Sequence, residues 1–338
     1  MPSEFWRGQV RNTALSRMEQ GQTVKGCHNC YKTEEKKMPS SRSFAKSYDT
    51  IPSKELPTML DLDFSNFCNL KCVMCDAVRS SEWAKDLGEP VSTVSTELLD
   101  DLVSISDNVV HLTIQGGEPT IMREYEYYFT ALEKRGLISQ IDLQMITNAT
   151  NVNKRFYDLL GKFKKVRLSI SIDAYGKAND YIRWPSNFAQ IEKNLIKMSE
   201  LPINVEVEIL NSLNMLSMFN YYDFLKWCKK IENIYADKNK VFKVIPMKVF
   251  KPPMYSPFCA TPDLKNKFVM DVKQFMQEDN LKHNSNWKTE MLLVCKQIEK
   301  TEVDEQAIKS LKDTVDDLDI KRNKSIDDYI PEFSTFIK

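Results

Sequence analysis

No excess of charge of either sign marks this sequence: 47 lysines and arginines balance 47 aspartates and glutamates. The whole-chain average thus carries no basic footprint, and nucleic acid is not an expected partner. A long apolar run is missing too. No stretch approaches the ~20 residues that a membrane span needs. The opening MPSEFWRGQVRNTALSRMEQGQTVKGCHNC has no apolar segment of the kind that begins a secreted chain. Internal repeats and low-complexity tracts are also lacking. These absences set the expectation of a cytoplasmic chain with no membrane partner. In that compartment thiols stay reduced, and grouped cysteines bind metal or do chemistry more often than they form disulfides. What is present, 42% hydrophobic and 28% charged residues over 338 positions, suits one large α/β domain with additions, or two smaller domains.

After residue 58 the hydrophobic pattern alternates between two periods. Strand-like runs occupy 59–65, 109–115, 141–147, 166–172, 203–210 and 241–247, with helix-like stretches between them. Leu98, Leu99, Leu102 and Ile105 mark one helix face in the first of these stretches. Strands joined by helical crossovers predict a parallel sheet. Buried parallel strands are usually apolar on both sides, but these alternate. Leu168, Ile170 and Ile172 oppose Ser169, Ser171 and Asp173; Val205, Val207 and Ile209 oppose Glu206 and Glu208; Leu60, Leu62 and Phe64 oppose Asp61 and Asp63. Helices can cover the apolar side, which leaves a polar side facing something wet. A sheet curled into a partial barrel meets both demands better than a closed barrel packed with branched side chains. An antiparallel sheet with one solvated face is the alternative, and the helical crossovers speak against it.

Three cysteines, Cys68, Cys72 and Cys75, crowd into NFCNLKCVMCDA directly after the first strand, at the sheet edge where α/β proteins bind ligands. Thiolates suit zinc, Cu(I) or iron–sulfur clusters. A closed zinc site wants a fourth nearby ligand, and no cysteine or histidine lies between Cys75 and His111, although Asp76 is adjacent. A four-iron cluster held by three cysteines would leave one iron free to bind something else.

The C-x-x-x-C-x-x-C spacing resembles the signature of the radical S-adenosyl-L-methionine (SAM) superfamily. Three further segments over residues 59–250 are similar to that family in order. QGGEP (115–119) resembles the glycine-rich turn beside the SAM amine, TNAT (147–150) a Thr-Asn-Gly segment, and SISIDA (169–174) a Ser-x-Asp segment. The resemblance implies a fold, α/β with a partial (β/α)6 barrel of radical SAM type, and a 4Fe-4S cluster on Cys68, Cys72 and Cys75. It implies SAM contacts from Gly116, Gly117, Glu118, Asn148, Ser171, Asp173 and Arg183, the last as a fork for the SAM carboxylate. Glu118 would accept from the amine or fix its turn. An electron donor such as a flavodoxin or ferredoxin would supply one electron. SAM would be cleaved to methionine and a 5′-deoxyadenosyl radical, which takes hydrogen from a peptide, protein or small-molecule substrate. Asp61, Asp63, Glu206 and Glu208 are candidate substrate contacts, with solvated or internally paired residues as the plainer reading. Two positions depart from the family pattern: Met74 replaces a common aromatic, and Ala149 a common glycine.

The flanks divide the chain into an N-terminal arm (1–58), the core (59–250) and a mainly helical extension (251–338). Cys27 and Cys30, in CHNCYKTE, resemble a SPASM or twitch-like cysteine arm, here placed ahead of the core. They would hold an auxiliary iron–sulfur cluster or zinc, completed by Cys259 and Cys295, by His28 or by substrate, or they are a remnant. Cys228 and His111 read as structural, and His283 has no partner in the sequence. The rival to an enzyme is a non-catalytic iron–sulfur or zinc-binding sensor or interaction protein. It leaves the GGEP turn and the ordered strand ends unexplained.

Overall fold

The computed structural model describes residues 1–46, 56–278 and 286–337; His283 lies outside them. Eight strands are present in these residues: β1 Met59–Asp63, β2 Lys71–Cys72, β3 His111–Gln115, β4 Asp142–Thr147, β5 Lys165–Ser171, β6 Arg183–Trp184, β7 Val205–Leu213 and β8 Phe242–Lys248. Six form one sheet in the order β1-β3-β4-β5-β7-β8, every neighbouring pair parallel. This is the partial α/β barrel expected from the alternation. β2 and β6 form a separate antiparallel ladder of two residues each, Lys71 opposite Trp184 and Cys72 opposite Arg183.

The N-terminal arm folds as α1 Pro2–Arg7, α2 Gln9–Glu19, α3 His28–Glu35 and α4 Ser41–Lys46. Ser3 ties it to the core through Asp101, with its N–H at 2.8 Å and its hydroxyl at 2.5 Å from the carboxylate. The crossovers are α5 Ser81–Leu87 and α6 Thr96–Ser104, then α7 Arg123–Lys134, α8 Lys154–Leu160, α9 Lys177–Ile182 with α10 Phe188–Met198, and α11 Tyr221–Ala236. The extension adds α12 Pro262–Glu278, α13 Asn286–Ile298, α14 Glu305–Arg322 and α15 Phe333–Phe336. Among the described residues no helix is long and apolar enough to cross a membrane.

Period-2 alternation sorts the sheet's side chains as the sequence predicts. On the helix-covered side Leu112, Ile114, Leu143, Met145, Leu168 and Ile209 are all buried. On the other side Asp61, Thr113, Gln144, Arg167 and Glu206 fall into one cross-strand row, and each is exposed or half-buried. The row nearer the strand ends is less wet than expected: Ser169 and Glu208 are buried, and the serine hydroxyl donates to the carboxylate at 2.7 Å.

The C-terminal extension docks on the core. Phe333 and Phe336 pack on Phe219 with ring centroids 5.8 Å apart in both cases. At the end of α14, Arg322 donates to the carbonyls of Tyr181 (3.0 Å) and Lys71 (3.4 Å) and lies over the rings of Tyr181 and Trp184. It thereby clamps both strands of the short ladder from behind.

Candidate functional site

The cysteine loop leaves β1 and is held by backbone contacts from two directions. On one side is the start of α5. Ser80 caps that helix by accepting from the N–H groups of Glu82 and Trp83, and Gly88 ends it in the left-handed region (φ 70°). The Ser80 hydroxyl donates to the Leu70 carbonyl (2.6 Å). Ser81 Oγ accepts from the Cys68 N–H (3.1 Å) and donates to its carbonyl (3.0 Å), and the Trp83 indole donates to the Cys72 carbonyl (2.9 Å). On the other side is the GGEP turn after β3. The Gly117 N–H donates to the Ser65 carbonyl (3.0 Å) and the Glu118 N–H to the Phe67 carbonyl (2.8 Å).

Both glycines of that turn are required by this crossing. A Cβ at Gly117 would lie 2.1 Å from the Phe67 carbonyl oxygen, and one at Gly116, whose φ is +115°, 2.4 Å from Asp63 Oδ1. The resemblance assigns both glycines to SAM contact; what their missing side chains admit here is the cysteine loop.

Cys68, Cys72 and Cys75 line one cavity of about 180 Å³ together with Gly116, Gly117, Asn148, Ser171 and Arg183. Cys68 and Cys72 are buried, and Leu70 and Met74 pack around the thiols. Burial pushes Cys68 up to about 12. Cys72 is raised by its hydrogen bond to Cys75 and by burial, and the same bond, helped by Arg183, lowers Cys75. A metal group entering here must displace the thiol protons. The residues fit a cluster bound by three thiolates: the thiols share one buried wall, and polar N–H groups face them. Nδ2 of Asn148 lies 4.0 Å from Cys68 Sγ, and Nη1 of Arg183 lies 3.9 Å from Cys72 Sγ.

Two expected SAM contacts lie outside the cavity wall. Glu118 is fully buried and accepts from the Thr120 N–H (3.0 Å) and hydroxyl (2.6 Å), the Thr147 hydroxyl (2.5 Å) and the Asn148 N–H (2.6 Å). It joins the ends of β3 and β4. Burial raises its pKa against the pull of those bonds. Asp173 is also fully buried. It accepts from Arg183 Nη2 (2.9 Å) and from the Ser212 N–H (2.8 Å). Arg183 Nε approaches the other carboxylate oxygen to 2.8 Å, but too far off line to count as a hydrogen bond. Burial raises Asp173 while Arg183 opposes it; burial pulls Arg183 down, but Asp173 and Cys72 more than offset it, so the guanidinium stays charged. Arg183 thus reaches the cavity wall with one edge of its guanidinium already paired to Asp173.

Asn148 and Ser171 stand where expected, at the ends of β4 and β5, and Ala149 takes the left-handed conformation (φ 54°) that explains the usual glycine. The sequence reading passed over Arg79 and Gln115, which also line the cavity; Arg79 sits 3.3 Å from Asp63 and Gln115 donates to Asp61 at 3.2 Å. Cys27 and Cys30 are half-buried free thiols on the arm, and Cys259 and Cys295 are free as well. Among the described residues no three histidine, cysteine, aspartate or glutamate side chains gather as they would around a single metal ion.

Residues 62–226 match the family model described as the radical SAM superfamily. No curated protein matches the chain. Among solved structures it is similar to native anSMEcpe with bound AdoMet, at 20% identity and a TM-score of 0.45, over 67% of this chain and 62% of that one. SuiB of Streptococcus suis bound to S-adenosylmethionine matches at 17% identity and a TM-score of 0.45, over 82% and 60%. TYW1 with a lysine-pyruvate adduct matches at 13% and 0.38, over 68% and 74%. The chain thus spans less than two thirds of the length of the first two.

Proposed function

Residues 62–226 are a radical SAM domain, and from that membership we infer that the chain is an enzyme that reductively cleaves SAM and uses the resulting radical on a polar substrate. The observation that carries this reading is convergence. The three thiols, the paired-glycine turn, Asn148 and Ser171 come from four adjacent strand ends and meet at one cavity.

Cys68, Cys72 and Cys75 would hold a 4Fe-4S cluster, which, with a flavodoxin- or ferredoxin-type donor, would supply the electron for reductive cleavage of SAM. The chain's own task is placement. Ser171 offers a hydroxyl to the polar parts of SAM, and Met74 presents a polarizable thioether where an aromatic is common. Glu118 acts behind the wall, fixing the turn and the Asn148 backbone. The buried thiols and the apolar packing of Leu70 restrict water around the reacting atoms.

A substrate would lie on the polar concave side of the sheet. Its acids are anchored: Asp61 by Gln115, Asp63 by Arg79, Glu206 by Lys165 at 2.8 Å and Glu208 by Ser169. Such a wall favours a hydrogen-bonding, charged substrate, and a peptide or protein segment suits it. Anaerobically reconstituted protein, given SAM and a strong reductant, should form 5′-deoxyadenosine. An intact cluster that never cleaves SAM would leave a sensor or interaction protein in place of the enzyme.

A further inference from the structure

We propose that Arg183 and Asn148 set the reduction potential of the cluster by donating N–H···S bonds to two of its three thiolates. The inference rests on the cluster reading above.

A guanidinium offers a rigid planar set of N–H donors. In Arg183 the edge formed by Nε and Nη2 faces Asp173, at 2.8 and 2.9 Å. Asp173 cannot swing aside cheaply. Its carboxylate holds the Ser212 N–H, its own N–H donates to Asn179 Oδ1 (3.0 Å), and its carbonyl accepts from Asn211 Nδ2 (2.9 Å). The remaining nitrogen, Nη1, lies 3.9 Å from Cys72 Sγ. The approach is built into the backbone, because Arg183 and Cys72 are direct partners in the β2–β6 ladder.

Asn148 repeats the arrangement at Cys68. Its side-chain oxygen accepts from the Thr150 N–H (3.0 Å) and hydroxyl (2.7 Å), which fixes the amide so that Nδ2 faces Asn69 Oδ1 (3.0 Å) and Cys68 Sγ (4.0 Å). N–H donors draw electron density from a thiolate and ease the uptake of one electron by the cluster from the external donor. Asp173 balances the arginine's charge, so the pair supplies directed N–H groups without a net positive charge beside the cluster.

Redox titration of anaerobically reconstituted protein, followed by electron paramagnetic resonance, tests this, with SAM affinity measured on the same samples. Arg183→Lys keeps a charge for Asp173 but cannot also reach the sulfur; its cluster should titrate at a more negative potential than wild type. Asn148→Ala should shift the potential the same way through the other sulfur, and it decides the matter should Arg183→Lys fail to fold. Asp173→Asn should shift it the opposite way, since the arginine's charge is then uncompensated. Clusters at wild-type potential in both donor variants would overturn the proposal. So would a loss of SAM affinity of about tenfold or more in Arg183→Lys at unchanged potential, the signature of a carboxylate clamp. If wild type takes up no cluster, no sample gives a signal, and the parent reading falls together with this one.

Discussion

Gly117 is the residue on which the site's architecture depends most directly. Its missing Cβ is what allows the turn after β3 to lie against the backbone of the cysteine loop. Gly117→Ala should cost about 1–3 kcal/mol, as overpacking of a rigid contact does, and should lower the iron taken up per chain; normal stability with full iron would mean that the loops separate freely. Ala149 illustrates a balance that cancels. Its left-handed backbone costs about 1–2 kcal/mol. Glycine would relieve that cost but lose a buried methyl, about 0.8 kcal/mol, and add chain entropy, about 0.5–1 kcal/mol. Ala149→Gly should therefore leave stability within about 1 kcal/mol of wild type in chemical denaturation.

Glu118 allows a prediction with a sign. Its folded-state pKa is raised above the usual 4.5, by burial first. Its contribution is thus fully present below about 4.5 and declines as pH rises through the folded value. Glu118→Gln puts an amide N–H against the Asn148 N–H, at a cost of about 1–3 kcal/mol. That deficit should shrink as pH is raised from about 4.5 and then level off, read from denaturation of both proteins across the range. A deficit that grows with pH would mean the carboxylate is stabilised, not strained, by its surroundings.

At the scale of elements, the cysteine loop is held by parts the sequence showed unevenly. The six long strands were legible because alternation over several residues leaves a clear period. The helix α5 was not read from the sequence, because seven residues are too few for the hydrophobic pattern; its local signals are Ser80 as cap and Gly88 as stop. The β2–β6 ladder was not read either: two residues carry no period, and the pairing of Cys72 with Arg183 exists only through long-range packing. The clamp from α14 was hidden for the same reason, since Arg322 lies some 250 positions from Lys71. Arg322→Ala removes two charged hydrogen bonds and the contact with two rings, together worth about 2–4 kcal/mol. A variant with a lower melting temperature and a loosened cluster spectrum is expected; wild-type behaviour in both would remove α14 from the account of the site.

Over the whole molecule, one sheet separates an apolar, helix-covered side from a polar concave side, and the three thiols sit where the first strand runs out. The order of the motifs made the cavity's main residues legible, but not the direction in which each side chain points. Arg183, read as a fork for the SAM carboxylate, lines the cavity with Asp173 on one of its edges; Glu118, read as accepting from the amine or fixing its turn, bonds the strand ends. The arm stays a separate question. If Cys27 and Cys30 carry an auxiliary cluster, reconstituted protein should hold about eight irons and the double alanine variant about four; wild type near four with no zinc would leave the pair as plain thiols.

The central claim is that three cysteines hold a cluster whose remaining iron is given to SAM. Mössbauer spectroscopy of protein reconstituted with iron-57, recorded without and with SAM, tests it most directly. About four irons should bind through Cys68, Cys72 and Cys75, with a single iron changing its signal when SAM is added and the whole spectrum lost in Cys72→Ala. Four equivalent irons indifferent to SAM, or a spectrum that survives Cys72→Ala, would contradict it.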